Sequence, residues 1–304
     1  MTRNSPQTLS QPSSSLPTSQ SKPPSTYPPP ILLPIAKHDI PTLAQIHVSA
    51  SSPDLLFRLY FSTPANEYHN ICAALEQQLT STKFKWWFVK AVDRDDPSII
   101  MGWGAWCVRP ANLGEREKRA SCFGFFGSGL VQGEGLDGEV EAEGGERDVK
   151  DGGFPIIQGL PQYVHDHTQP ILDDWLLGKP HLLLSALFTS PKYQRRGVGT
   201  SILKWGNERA DEEGLPCFLQ STPFGYDLYK ELGWKDVGSL DVDLRDWVRG
   251  GRGVLATGRG IYRVSYMARL PEDRREMEMV ALQRRLQAAS EKEKKKMVWG
   301  VDFI

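Results

Sequence analysis

A predicted strand, helix and second strand, joined through a glycine-containing loop, form the feature that most constrains the fold of this chain. Residues Leu182 to Phe188 are almost entirely apolar, which predicts a buried strand. A helix is predicted over Gly199 to Glu213, because Gly214 and Pro216 follow it as stop signals. Cys217 to Gln220 is then predicted to be the next strand. Elements of these lengths form a βαβ unit, whose two strands are parallel neighbours in one sheet.

The elements around this unit are predicted from apolar periodicity and turn residues. Further strands are expected over Ile31 to Ala36, Lys83 to Val92, Ile99 to Val108 and Arg259 to Leu270, the middle two forming an antiparallel hairpin. Further helices are expected over Asp39 to Ala50, Asn66 to Thr80, Gln169 to Leu177 and Phe224 to Leu232.

The chain of 304 residues is expected to hold one globular domain with appendages. Residues 1–30 are rich in Ser and Pro and are predicted to be a disordered tail, so the domain spans 31–270. Within it, 110–153 is predicted to be a flexible insertion rich in glycine and charge. Gly133, Gly135 and Gly138 spell a G-x-G-x-x-G there, but the acidic low-complexity context does not favour a dinucleotide site. Residues 271–304 are predicted to form a charged helix and tail.

Composition excludes several classes of function. A net charge of -1 with 39% hydrophobic residues disfavours nucleic acid as a partner. The four cysteines form no C-x-x-C pair and have no histidine at ligand spacing, so we expect no metal site. No run of about 18 apolar residues and no signal peptide are found, which predicts a protein without a membrane partner. A cytoplasmic location is expected, and a nuclear one is left open.

The loop from Gln194 to Thr200 has the properties of an anion-binding site. Gly197 and Gly199 lack Cβ atoms, so the backbone N–H groups can approach a phosphate closely. The following helix points its positive end at the same place, and Arg195 and Arg196 add charge. A P-loop is excluded because no lysine follows the second glycine. An ordinary strand-to-helix turn accounts for the glycines but not for the rest of the pattern.

These residues resemble the signature of the GNAT superfamily of acetyltransferases, Q/R-x-x-G-x-G/A. Gln194, Gly197 and Gly199 match it, and Leu228 to Trp234 is similar to the family's L-Y-x-x-x-G-F element. The sequence departs from the family where Ser190 replaces a frequent histidine and where no asparagine follows the fifth strand.

The resemblance implies an α/β fold of the acyl-CoA N-acyltransferase type, with a mixed, mostly antiparallel sheet of six or seven strands and helices on both faces. It implies that acetyl-CoA is the co-substrate, acetylating the primary amine of an acceptor in a ternary complex. The cofactor-binding residues that it implies are Leu187, Phe188, Thr189, Gln194, Arg195, Arg196, Gly197, Val198, Gly199 and Thr200.

The resemblance also implies roles near the thioester. Backbone groups of Leu187 and Thr189 would pair with the pantetheine arm, and a strand bulge around Leu187 would place an N–H at the oxyanion. Tyr229 would protonate the departing thiolate, although packing of a core tyrosine accounts for it as well. For the base, His181 and a water relay are both open. A non-catalytic acyl-CoA-binding module and an interaction scaffold are alternatives. The acceptor, a small molecule or peptide, and the oligomeric state are not specified by the sequence.

Overall fold

The computed structural model describes residues 27–61, 63–111, 159–176, 179–247 and 260–271. Most of the N-terminal tail, of the predicted insertion and of the C-terminal tail lies outside the described residues, and with them the glycine motif at 133–138. The expectations for those segments therefore stay predictions.

Seven described strands form one sheet in the order β1-β2-β3-β4-β5-β7-β6. Their bounds are β1 Ile31–Leu33, β2 Lys85–Val92, β3 Ile100–Arg109, β4 His181–Thr189, β5 Cys217–Ser221, β6 Lys235–Asp243 and β7 Ile261–Arg269. All neighbouring pairs are antiparallel except β4 and β5, which are parallel. The predicted βαβ unit and the mixed, mostly antiparallel sheet are thus confirmed.

Six α-helices among the described residues cover both faces of this sheet. Their bounds are α1 Ile40–Ser51, α2 Leu55–Tyr60, α3 Pro64–Leu79, α4 Leu160–Leu176, α5 Val198–Glu212 and α6 Tyr226–Glu231. Helices α1 to α4 pack on one face in two apolar clusters, and α5 and α6 pack on the other face. No helix among the described residues has the length and apolarity that crossing a bilayer requires.

Two elements were not predicted, and both have weak local signals. Helix α2 has only six residues, four of them buried, so it shows no polar face that would reveal a helical period. Strand β6 carries Lys235, Asp236, Asp241 and Asp243, which are depleted in strands, but it is an edge strand on which charge is common. The predicted helix at Gln169 begins nine residues earlier, at Leu160.

Strand β4 contains a bulge that changes which way its residues face. Ala105 pairs with Ala186 and Trp106 with Leu184, so Ser185 is an extra residue opposite β3. Leu182 and Leu184 pack toward α5 before the bulge, and Leu187 packs toward it afterwards. The bulge expected around Leu187 therefore lies two residues earlier, at Ser185. This is a correction of position that an uninterrupted apolar run could not reveal.

Helix α5 lies unusually close to the sheet because two glycines remove side chains from the contact. A Cβ atom at Gly206 would lie 2.3 Å from the Trp106 ring, and one at Gly104 would lie 2.7 Å from Ile202. Trp106 and Ile202 are fully buried. The close packing fixes where α5 begins and hence where the loop before it lies.

Candidate active site

A cavity of about 1220 Å³ opens where β4 and β5 separate. The two strands pair only at Leu182 with Cys217 and at Leu183 with Phe218, while β4 continues to Thr189. Beyond that point the edge of β4 that would continue the ladder has no strand partner in the part of the chain that the structure describes. The cavity extends from this gap to the loop before α5 on one side and to the end of α1 and the start of α2 on the other.

The loop before α5 is shaped as an anion cradle. Arg195 has φ of 62° and Gly197 has φ of 84°, both in the left-handed region, and alternating backbone conformations of this kind turn successive N–H groups to one side. Backbone N–H groups of residues 195–200 donate no hydrogen bond to the described residues, and the first donor after them is Ser201, to the Gly197 carbonyl at 2.9 Å. These six residues and the N-terminus of α5 all line the same cavity.

Cationic side chains surround the cradle. Arg195, Arg196 and Lys204 line the cavity. The Arg196 guanidinium lies 4.7 Å from the centre of the Tyr27 ring and 5.4 Å from that of Tyr193, so it is held between two aromatic faces. The charge and the amides together suit a ligand with several phosphate oxygens.

The end of β4 supplies backbone groups to the gap. Ser190 donates to the Met101 carbonyl at 2.9 Å, so alternation along the ladder turns the backbone groups of Leu187 and Thr189 away from β3. The Gln194 side chain donates to the Thr189 carbonyl at 3.2 Å. Gln194 thus ties the cradle to the strand, which gives a structural reason for a glutamine at this position. The Leu187 groups and the Thr189 N–H remain directed into the gap.

Tyr229 lies in α6, on the face of the sheet that also carries α5. It is 8% exposed, and its ring packs against Trp234 at 6.0 Å between centroids. Burial raises its pKa well above the ordinary value of a tyrosine, so the phenol is protonated at neutral pH. Its hydroxyl makes no hydrogen bond to the described residues. Gly225 leaves room for the ring, because a Cβ there would lie 2.8 Å from it.

The opposite end of the cavity contains a buried carboxylate. Asp54 is 4% exposed, caps α2 by accepting from Leu56 N–H at 3.0 Å, and accepts from the Tyr262 hydroxyl at 2.7 Å. Burial raises its pKa, and the hydrogen bond from Tyr262 opposes that rise. This group was not predicted. A Ser-Ser-Pro-Asp stretch signals a helix start, and no local pattern shows that Tyr262 folds against it.

The structure brings all ten sequence-predicted cofactor-binding residues and Tyr229 to this one cavity. His181 is elsewhere: it lies at the opposite end of β4 from Thr189, outside the cavity lining, and burial lowers its pKa to about 4. No group of three or more potential metal ligands occurs among the residues described.

Comparison with known proteins finds a family match for one segment of the chain. Residues 163–234 match the model of the acetyltransferase (GNAT) family. This segment contains β4, the cradle, α5, β5 and α6. No curated protein sequence matches the chain significantly.

One solved structure shares the fold, and two others are similar at lower scores. Arylalkylamine N-acetyltransferase 2 from Aedes aegypti is 11% identical, with a TM-score of 0.50, over 79% of this chain and 98% of that one. A structure from Corynebacterium glutamicum, described as histone acetyltransferase HPA2 and related acetyltransferase, is 20% identical, with a TM-score of 0.44, over 80% and 97%. NAA60 from Arabidopsis thaliana is 12% identical, with a TM-score of 0.40, over 80% and 98%. Residues 163–234, which include the cradle, therefore match the acetyltransferase (GNAT) family, and the seven-stranded sheet with its helices has the acyl-CoA N-acyltransferase fold.

Proposed function

We propose that the protein is an N-acetyltransferase, in which a primary amine attacks acetyl-CoA directly within a ternary complex. The observation that carries the proposal is the continuity of one cavity from the six unpaired amides of residues 195–200 to the open edge of β4. A pyrophosphate fits the amides, and an extended chain with amide groups fits the strand edge. Acetyl-CoA has both parts, in that order. A cytoplasmic location belongs to the same proposal.

The residues at the gap would hold the pantetheine arm as an added strand. The Leu187 N–H and carbonyl and the Thr189 N–H offer a ladder to amide groups of the arm. Arg195 and Arg196 would bind phosphate oxygens, with Val198, Gly199 and Thr200 contributing backbone amides at the start of α5. Phe188 lines the same wall. Ser185, at the bulge, also lines the cavity, so a backbone N–H of this part of β4 would lie near the thioester.

The transfer forms a C–N bond and breaks a C–S bond. The lone pair of the neutral amine adds to the thioester carbonyl, and a backbone N–H of the bulged strand stabilises the oxyanion. Collapse expels the thiolate, to which the Tyr229 hydroxyl donates. The second proton of the nitrogen restores the tyrosine. Holding both substrates in one cavity supplies much of the rate by proximity.

A matched pair of glycines tests the cradle. Gly197 and Gly214 stand at the two ends of α5, both with positive φ and both with open space where a Cβ would be. Alanine should strain the backbone similarly at each, by about 1–2 kcal/mol. Only Gly197 lines the cavity. We therefore expect Gly197→Ala to raise the calorimetric Kd for acetyl-CoA about tenfold or more, and Gly214→Ala to leave it unchanged.

Equal affinities in the two variants would contradict the cradle assignment. Thiol release with a panel of amines separates the enzyme from a silent acyl-CoA-binding module. Binding with no release for any amine would favour the module.

A further inference from the structure

The acceptor end of the cavity has an apolar wall with one acidic group in it. The apolar lining residues come from four elements on one face of the sheet: Leu56, Phe57 and Tyr60, Val164, Leu183, and Val264. The other acidic residues lining the described cavity are Asp227 and Glu231, which lie on α6 at the cofactor side. Asp54 is therefore the single carboxylate of the acceptor end among the described residues.

The hydrogen bonds of Asp54 hold it rigidly and leave it incompletely satisfied. A carboxylate can accept about four hydrogen bonds. Asp54 accepts from the backbone N–H groups of Leu56 and Phe57 and from the Tyr262 hydroxyl. Since Asp54 also lines the cavity, the remaining acceptor position is available to a ligand. Tyr262 fixes the carboxylate from β7, so the group is oriented before a ligand arrives.

We propose that the acceptor is a primary amine with a single positive charge on an apolar body, and that Asp54 binds its ammonium group and removes the proton that precedes attack. This rests on the proposed function and names the substrate class for the same cavity. The apolar wall accommodates the body of the amine, and the carboxylate pairs with its nitrogen. A polyamine or a basic peptide would bring further charges against Leu56, Leu183 and Val264, where no second carboxylate is described to pair with them.

The proton balance is complete with the groups in the cavity. The ammonium gives one proton to Asp54, which becomes a carboxylic acid and later releases it to water. The neutral nitrogen then attacks, and its second proton replaces the one that Tyr229 gives to the thiolate. Burial raises the pKa of Asp54 and so makes it a stronger base than an exposed aspartate.

Binding of amines to the dead-end complex with CoA tests the acceptor class without turnover. We expect 2-phenylethylamine to bind to the wild-type protein with CoA at least tenfold more tightly than spermidine or a lysine-rich peptide does. Asp54→Asn should raise the Kd for phenylethylamine at least tenfold, and Asp227→Asn should leave that Kd unchanged. Asp54→Ser retains a helix-capping oxygen and checks that loss of the cap is not the cause. Melting temperatures establish that each variant is folded.

The pH dependence of kcat/KM separates a base from a structural cap. Charged or titratable groups face Asp54 from several elements: Tyr60 on α2, Glu67 on α3 and Tyr262 on β7, with His47 on α1 reaching it through Glu67. The hydrogen bond from Tyr262 lowers the pKa of Asp54. Tyr262→Phe should therefore move the acidic limb of the profile to higher pH, and Asp54→Asn should abolish it.

The outcomes distinguish this inference from the transfer reaction. Phenylethylamine binding that depends on Asp54, in a protein that releases no thiol, would support the acceptor site and contradict acetyl transfer. Thiol release that is insensitive to Asp54→Asn, or that is fastest with spermidine, would overturn the inference while the transfer reaction stands. An acidic limb that does not respond to either variant would also overturn the assignment of Asp54.

Discussion

Replacing Tyr229 by phenylalanine removes one hydroxyl and keeps the packing of α6 on the sheet. The ring stays against Trp234, and the lost hydroxyl leaves no described hydrogen-bond partner without its donor. The free energy of unfolding should therefore change by less than about 1 kcal/mol. The affinity for acetyl-CoA should also change little, because the hydroxyl stabilises the charge that develops on sulfur in the transition state and is not needed for ground-state binding.

The size of the rate effect follows from the environment of the phenol. Burial raises the pKa of Tyr229 above that of an exposed tyrosine, and hence above that of an alkyl thiol, so the proton stays on the phenol in the transition state and passes to sulfur only as the nitrogen returns one. What the hydroxyl then supplies is a hydrogen bond to a charged atom, worth about 1.5–3 kcal/mol. At about 1.4 kcal/mol for each factor of ten, the chemical step should slow about ten- to a hundredfold.

Single-turnover acetylation measures the chemical step without interference from product release. Tyr226→Phe is the matched control, because Tyr226 lies on the same helix, donates to Asp236 at 2.9 Å and does not line the cavity. Its single-turnover rate should equal that of the wild type. A wild-type rate in Tyr229→Phe would refute the reasoning and make the residue a packing tyrosine. A thousandfold loss would show that the phenol has already transferred its proton in the transition state.

Three further predictions concern the scaffold. Gly206→Ala should lower the free energy of unfolding by about 1–2 kcal/mol in urea, because the added methyl group would collide with the rigid Trp106 ring. This cost should exceed the gain from the higher helix propensity of alanine. A stabilised variant would contradict the close packing of α5. Burial lowers the pKa of His181 from 6.5 to about 4, so the folded protein favours the neutral imidazole, and the free energy of unfolding should fall as the pH drops from about 6.5 to 4. His181→Gln should flatten this pH dependence in unfolding experiments across the same range. An unchanged pH dependence would contradict the prediction. Asp39→Ala should lower the free energy of unfolding by about 2–4 kcal/mol in thermal unfolding, because the Lys90 ammonium, 2.7 Å from Asp39, would lose its ion-pair partner while largely shielded from solvent. A change below about 0.5 kcal/mol, which is typical of surface sites, would contradict this prediction.

The sequence predicted the half of the site that is built from contiguous residues. Strand β4, the cradle and α5 follow one another along the chain, and their apolar run, glycines and stop signals are local properties. The parallel pairing of β4 with β5 followed from the length of the connection alone.

The other half of the site depends on contacts that no local pattern reveals. Asp54 and Tyr262 are 208 residues apart and meet only because α2 packs against β7. The bulge at Ser185 depends on the register with β3, and the Gln194 contact with Thr189 depends on the turn between them. A prediction from periodicity therefore finds the end of the cavity formed by the cradle and misses the end that contains Asp54.

The close approach of α5 to β3 also constrains how this protein can vary among its relatives. Trp106 occupies the volume that a side chain at 206 would need, so the two positions share a fixed space. A larger residue at 206 should be accepted only together with a smaller one at 106, and the pair should covary in an alignment. Within this chain the same relation predicts that Trp106→Leu and Gly206→Ala are each destabilising and partly compensate when combined.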